Sequence, residues 1–177
     1  MRSIAEGPSL ERLRKGWYRA RVAAAGIPAK HVCFHLRGQR FGAGIDHVKE
    51  TVELGPLTRV FRVDRCIAGV MSLRGDIIAV IDLARFLGLP DGPHGKRILI
   101  AQVDEGGRER TAGLLVDQLD EVRLLDDDQI QPAPPAIDPA AAAYLRGVVS
   151  LPEGPLGVLD LPRVISSERF RPYRRVA

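Results

Sequence analysis

From His31 onward the apolar positions recur every second residue. Val32, Phe34 and Leu36 alternate with Cys33 and His35, Arg37-Gly-Gln-Arg40 supplies turn residues, and Phe41-Gly-Ala-Gly-Ile45 runs back. That pattern predicts a β-hairpin. Asp46 to Leu54 opens as a turn and ends as a strand, Gly55-Pro56 breaks it, and Val60 to Ile67 is a connection. Two further strands flank Arg74-Gly75-Asp76, a turn in which Gly75 can take φ > 0. After the loop Leu89 to Gly95, Arg97–Val103 and Thr111–Asp117 form another hairpin around Asp104 to Arg108. Leu119 to Ile130 continues extended with a turn at Asp126-Asp127-Asp128, Pro132 to Pro135 is a stiff linker, and Asp138-Pro139 opens a short helix reaching Tyr144. Many short strands at close spacing predict a barrel or sandwich.

Upstream the period is helical. Leu10, Leu13, Trp17 and Ala20 share one face of residues 9–25, Ser9 can cap, and Glu11 suits the first turn. Gly16 costs about 1 kcal/mol against Ala, so this helix is marginal alone. Gly26-Ile27-Pro28 ends it. The arm either docks on the body or frays in solvent; the sharper alternative is a basic face that meets a partner or an anionic membrane.

The chain also repeats itself. At an offset of 78 residues, Gly69, Val70, Ser72, Leu73, Val80, Asp82, Leu83 and Arg85 fall on Gly147, Val148, Ser150, Leu151, Val158, Asp160, Leu161 and Arg163. Ile67, Ile78, Ile81 and Leu87 fall on Leu145, Leu156, Leu159 and Ile165. Such an echo predicts two related lobes, each with a strand, a Gly-bearing turn and a second strand.

Charge changes the picture more than composition does. The formal net charge of +4 and the pI near 9.4 suggest a nucleic-acid binder, but the basic residues are terminal. Residues 1–30 carry +5, residues 163–177 carry +4, and the body between them carries −5. An acidic body and only 5% aromatic residues argue against a nucleic-acid partner. A hydrophobic fraction of 45% suffices for a core without metal or disulfide staples. Cys33 and Cys66 fit no ligand motif and predict buried, reduced thiols. No apolar run approaches the roughly 18 residues of a membrane span, and no signal-peptide core is present, so the chain reads as soluble and cytoplasmic without membrane insertion.

Candidate chemistry is sparse. His31, His35, His47 and His94 lack ligand spacing; on a strand His31 and His35 stand about 13 Å apart, too far for one ion. Gly42-Ala43-Gly44 is a fragment of a dinucleotide fingerprint without its third glycine. Asp126 to Asp128 suits a turn or helix cap better than a metal or phosphoacceptor site. No nucleophile stands beside a base. The reading is a protein that is not an enzyme and needs no cofactor or metal.

The stretch Gly69-Val-Met-Ser-Leu-Arg-Gly-Asp-Ile-Ile-Ala-Val-Ile-Asp-Leu83 resembles the signature of the CheW family of chemotaxis coupling proteins: Gly-Val, Asn-Leu-Arg-Gly, then an apolar strand ending in Asp-Leu. Phe41 through Gly75 resembles that family's first lobe. The likeness extends through Ala112–Asp117, Gln129–Pro134 and Tyr144–Gly147 to Leu161, and covers about residues 31–166. The resemblance implies a mainly β fold of two SH3-like five-stranded barrel lobes around a shared hydrophobic core. It also implies a non-catalytic adaptor that couples the cytoplasmic tip of a chemoreceptor to the regulatory domain of a CheA-type histidine kinase. One surface on each lobe would contact a kinase, and a groove between the lobes would hold the receptor tip. Val48 and Glu50 match the receptor-facing strand, Arg74 the signature arginine, and Thr58 and Arg59 its surroundings. The open alternatives are core packing for Val48 and a solvated turn for Arg74.

The division expected is a basic, helical arm over 1–30, a CheW-like domain over 31–166 and a basic tail over 167–177. Ser72 stands where the family has Asn, and the arm exceeds the usual lead-in, like those of pilus-based or other alternative chemosensory systems. The expected location is the cytoplasm, at membrane-proximal receptor arrays. The alternative is a diverged adaptor that tethers a different partner through its arm.

Overall fold

Ten strands make two five-stranded sheets. The computed structural model describes residues 28–93 and 95–173, so the helix expected over 9–25 lies outside the described residues. The strands are β1 (Ala29–Leu36), β2 (Gln39–Gly44), β3 (Val48–Glu53), β4 (Ile67–Leu73), β5 (Asp76–Asp82), β6 (Arg97–Asp104), β7 (Glu109–Val116), β8 (Gln118–Leu125), β9 (Leu145–Leu151) and β10 (Gly154–Leu159). One sheet runs β3-β6-β7-β5-β4 and forms lobe 1; the other runs β8-β1-β2-β10-β9 and forms lobe 2. Each contains a single parallel pair, β5 with β7 and β2 with β10.

The lobes are not the halves of the sequence. Hairpin β1–β2 joins the three strands of the second repeat, and hairpin β6–β7 joins the three strands of the first. Of the stretch Phe41 through Gly75 that resembles the family's first lobe, Phe41 to Gly44 therefore belong to lobe 2. The reciprocal exchange is what the parallel pairs accomplish, since a hairpin can only pair antiparallel with itself.

Exchange buries both faces of the exchanged hairpins and explains their unbroken apolar runs. Along β6, Ile98 and Ile100 fill the interior of lobe 1 with Met71, Ile78, Val80 and Leu115. Leu99, Ala101 and Val103 turn the other way, into the core shared by both lobes. Along β1, Cys33 enters the interior of lobe 2 with Leu125, Val149, Leu156 and Val158, while Val32, Phe34 and Leu36 join the shared core.

Each lobe is closed by one short seam. Thr58 and Val70 exchange two backbone hydrogen bonds, both 2.9 Å; Gln131 and Val148 do the same at 2.9 and 2.8 Å. The seams require glycine next door. A Cβ on Gly69 would lie 2.6 Å from the Thr58 carbonyl oxygen, and one on Gly147 only 2.2 Å from that of Gln131.

Short helices missed by the strand pattern follow β5 and β10: α1 (Leu83–Phe86) and α3 (Leu161–Ile165), with α2 (Pro139–Ala142) between them. The repeated Asp-Leu is a cap followed by a core residue. Asp82 accepts from the Arg85 amide at 3.1 Å and Asp160 from the Arg163 amide at 3.0 Å, while Leu83 and Leu161 are buried.

Two arginines join the lobes. Arg37, at φ +49 in the β1–β2 turn of lobe 2, points into lobe 1. Its guanidinium donates to Asp117 Oδ1 at 2.7 Å and to the carbonyls of Pro90 and Pro93, and it stands 3.9 Å from Asp82 Oδ2. Arg169, past α3, grips Asp64 through two bonds of 2.9 and 2.8 Å, donates to the Phe86 carbonyl and lies over the Phe86 ring. This bidentate pair holds the Asp64 carboxyl well below the usual carboxylate range. Next to it, burial first and the Asp64 bond second push the Cys66 thiol up to about 12.

Candidate partner-binding surface

The β4–β5 turn puts Arg74 at φ +52 and Gly75 at φ +93. Two consecutive residues at positive φ are what a tight two-residue hairpin needs to follow the strand twist. The tip therefore projects, and the Arg74 side chain is 76% exposed. From there it reaches β3 and donates to Glu50 Oε2 at 2.8 Å. Glu50 and Arg74 are thus brought together as an ion pair, one partner half-buried and one in solvent. An exposed pair of this kind is worth about 0–1 kcal/mol to the fold, so neither side chain is held there by stability.

Thr58 sits on the seam that closes lobe 1, and Arg59 follows it in solvent. Thr58 thereby lies beside β4, the strand that leads into the Arg74 turn. Val48 is placed differently: it is half-buried and packs against the shared core, two residues before Glu50 on β3. Of the five sequence-predicted residues the structure thus brings Glu50 and Arg74 together, leaves Thr58 and Arg59 exposed along lobe 1, and packs Val48 inward.

Two apolar residues on this lobe escaped the sequence reading. Ile77, paired with Ser72 on the Arg74 hairpin, is 66% exposed, and Phe61, three residues beyond Thr58, is 85% exposed. Ile77 had no signal, because Ile77-Ile78-Ala79-Val80-Ile81 is apolar on both faces. Phe61 had one: an aromatic between Arg59 and Arg62 inside a connection that no period claims. By sequence Arg37 is a plain turn residue, and its role at the lobe junction exists only once both lobes are in place.

A groove of about 410 Å³ runs between the lobes. Leu87 and Leu89 line it from lobe 1, Phe41, Leu145 and Pro155 from lobe 2, and Ile137 from the crossover. Arg40 also lines it and bridges Asp120 at 2.8 Å and Glu153 at 2.9 Å. The lining is apolar and concave, suited to aliphatic side chains and not to proton transfer. No helix among the described residues is long and apolar enough to cross a membrane.

The CheW-like domain family matches residues 30–169. The chemotaxis protein CheW of Klebsiella aerogenes is 28% identical over 158 residues, 89% of this chain and 94% of its own length. Protein FrzA of Myxococcus xanthus is 30% identical over 159 residues, 89% of this chain and 98% of its own. The crystal structure of the scaffolding protein TtCheW from Thermoanaerobacter tengcongensis superposes with a TM-score of 0.68 at 31% identity, covering 81% of this chain and 96% of that one. With two SH3-like lobes and a matched domain over most of its length, this chain belongs to the CheW-like family of non-catalytic chemotaxis coupling adaptors.

Proposed function

We propose that this adaptor couples the cytoplasmic tip of a chemoreceptor to the regulatory domain of a CheA-type histidine kinase, in the cytoplasm at membrane-proximal receptor arrays. The observation that carries the reading is the projecting β4–β5 turn of lobe 1, where Arg74 pairs with Glu50 and Ile77 stands exposed on the same hairpin. An exposed apolar side chain beside a charged pair suits a reversible protein interface. Arg74 can exchange its bond to Glu50 for a carboxylate on the partner, and its planar fork makes that recognition directional. The apolar groove between the lobes offers the receptor's helical hairpin a place for aliphatic anchors. Val48 supports the face from below by fixing β3 on the shared core.

The test is calorimetric binding of the full chain and of Arg74→Glu to the regulatory domain of a CheA-type kinase, with melting temperature as control. Charge reversal places two carboxylates face to face at residues 50 and 74, and binding should weaken about tenfold or more, a loss of about 1.4 kcal/mol. The melting temperature should hardly move, because the side chain is mostly exposed and its ion pair adds only about 0–1 kcal/mol to the fold. Undiminished binding by the variant would remove Arg74 from the interface. A folded wild-type chain that does not bind would overturn the kinase assignment itself.

A further inference from the structure

Lobe 2 exposes an apolar pair that the partner face does not use. On β8, Val122 is 53% exposed and Leu124 is 63% exposed. They alternate along the strand, so both project from the same face. That strand is an edge of its sheet. β8 and the turn after it carry Asp120, Glu121, Asp126, Asp127 and Asp128 against Arg123. Arg40, Arg123 and Arg146 neutralise Asp120, Glu121 and Asp127, but Asp126 and Asp128 have no ion pair among the described residues.

The register of β1 on β8 says what stands nearest. Ala29 pairs with Leu125, Lys30 with Leu124, and Val32 with Val122. Residues 1–27 therefore join the body at the end of β8 that carries the apolar pair. Gly26-Ile27-Pro28 has the turn chemistry to reverse the chain there. Residues 9–25 as a helix would span about 25 Å, and the eight residues of β8 span about 26 Å. The lengths match. So does the chemistry: the stripe Leu10, Leu13, Trp17 and Ala20 is apolar, Arg14 and Arg21 border it on one side and Arg12 on the other, and the strand it would cover is acidic.

We propose that residues 9–25 fold back as an amphipathic helix on β8 of the same chain, with the Leu13 and Trp17 face over Val122 and Leu124. Docking removes the two apolar side chains from water and places the basic flanks beside Asp126 and Asp128. It also supplies the tertiary contact that a helix interrupted by Gly16 needs in order to form. Tethering through Pro28 presents the arm at an effective concentration of order mM, so a weak contact suffices. Any partner that uses β8 must displace the arm first.

Trp17 is the chain's single tryptophan, which makes the test direct. Fluorescence of the full chain is compared with a peptide of residues 1–27 and with Val122→Arg/Leu124→Arg, whose fold is checked by circular dichroism. Docking predicts emission shifted to the blue of the peptide and weaker acrylamide quenching in the full chain, both reverting in the double variant. Leu124→Gln replaces the double variant should that one fail to fold. Emission and quenching equal to the peptide's would overturn the proposal. A blue shift indifferent to both substitutions would place the arm elsewhere and also overturn it. A shift that fades on dilution would mean the arm binds a second copy, which refutes docking within the chain.

Discussion

Gly147→Ala is the sharpest probe of how the lobes are closed. The added methyl would stand 2.2 Å from the Gln131 carbonyl oxygen, 2.7 Å from Ile130 Cγ2 and 3.0 Å from the Gln131 carbonyl carbon. Two of those atoms are backbone, so no rotamer change relieves the contact. The seam must open, which strains packing by about 1–3 kcal/mol and weakens two hydrogen bonds worth about 0.5–1.5 kcal/mol each. The expected loss is roughly 2–5 kcal/mol out of a typical total of about 5–15. At about 2–4 °C per kcal/mol for a domain of this size, the melting temperature should fall by roughly 5–20 °C. Urea titration and thermal melting both read it. Gly44→Ala is the control: its φ is −56° and nothing lies within 4 Å of an added Cβ, so the variant should gain about 0.4–1 kcal/mol by stiffening the unfolded chain. A Gly147→Ala protein that melts with the wild type, or with the control, would refute the seam as the reason for the glycine. Gly69→Ala, at 2.6 Å from the Thr58 oxygen, should repeat the effect in lobe 1.

Two other expectations concern the junction near the C-terminal end. Because Asp64 is held below its ordinary value by Arg169, the unfolded chain binds its proton first, and the pair's stabilisation is present above about pH 4 and fades as pH falls further. Urea midpoints should therefore drop less between pH 7 and pH 3 in Arg169→Ala than in the wild type; equal drops would dismiss the pair as the acid-sensitive element. Burial raises both thiols, Cys66 to about 12, so neither Cys33 nor Cys66 should react with a thiol reagent at pH 8 until urea unfolds the chain. Fast native labelling of either would show that the core opens locally.

Much of this protein can be read from local pattern, because strand alternation, turn glycines and capping residues act over a few neighbours. The period of two from His31 predicts β1 and β2, and the Arg97 to Asp117 hairpin matches β6 and β7. The 78-residue echo survives in detail: β4 and β9 start and stop at equivalent positions, as do the seams at Val70 and Val148 and the caps at Asp82 and Asp160. Each identity has a physical cause, whether a close approach that excludes Cβ, a cap, or a leucine in the core. Which hairpin joins which lobe was not legible. An apolar run such as Ile98 to Ala101 reports only that both faces are buried, and exchange between repeats buries them as well as any nearer arrangement would. Nor could spacing announce that Glu50 meets Arg74, that Asp64 meets Arg169 across 105 residues, or that Arg37 spans the junction. Those contacts arise only once the parallel pairs β2–β10 and β5–β7 bring the two repeats together. Sequence determined the elements and their duplication; tertiary structure alone decided their partners, because pairing depends on burial summed over the whole chain.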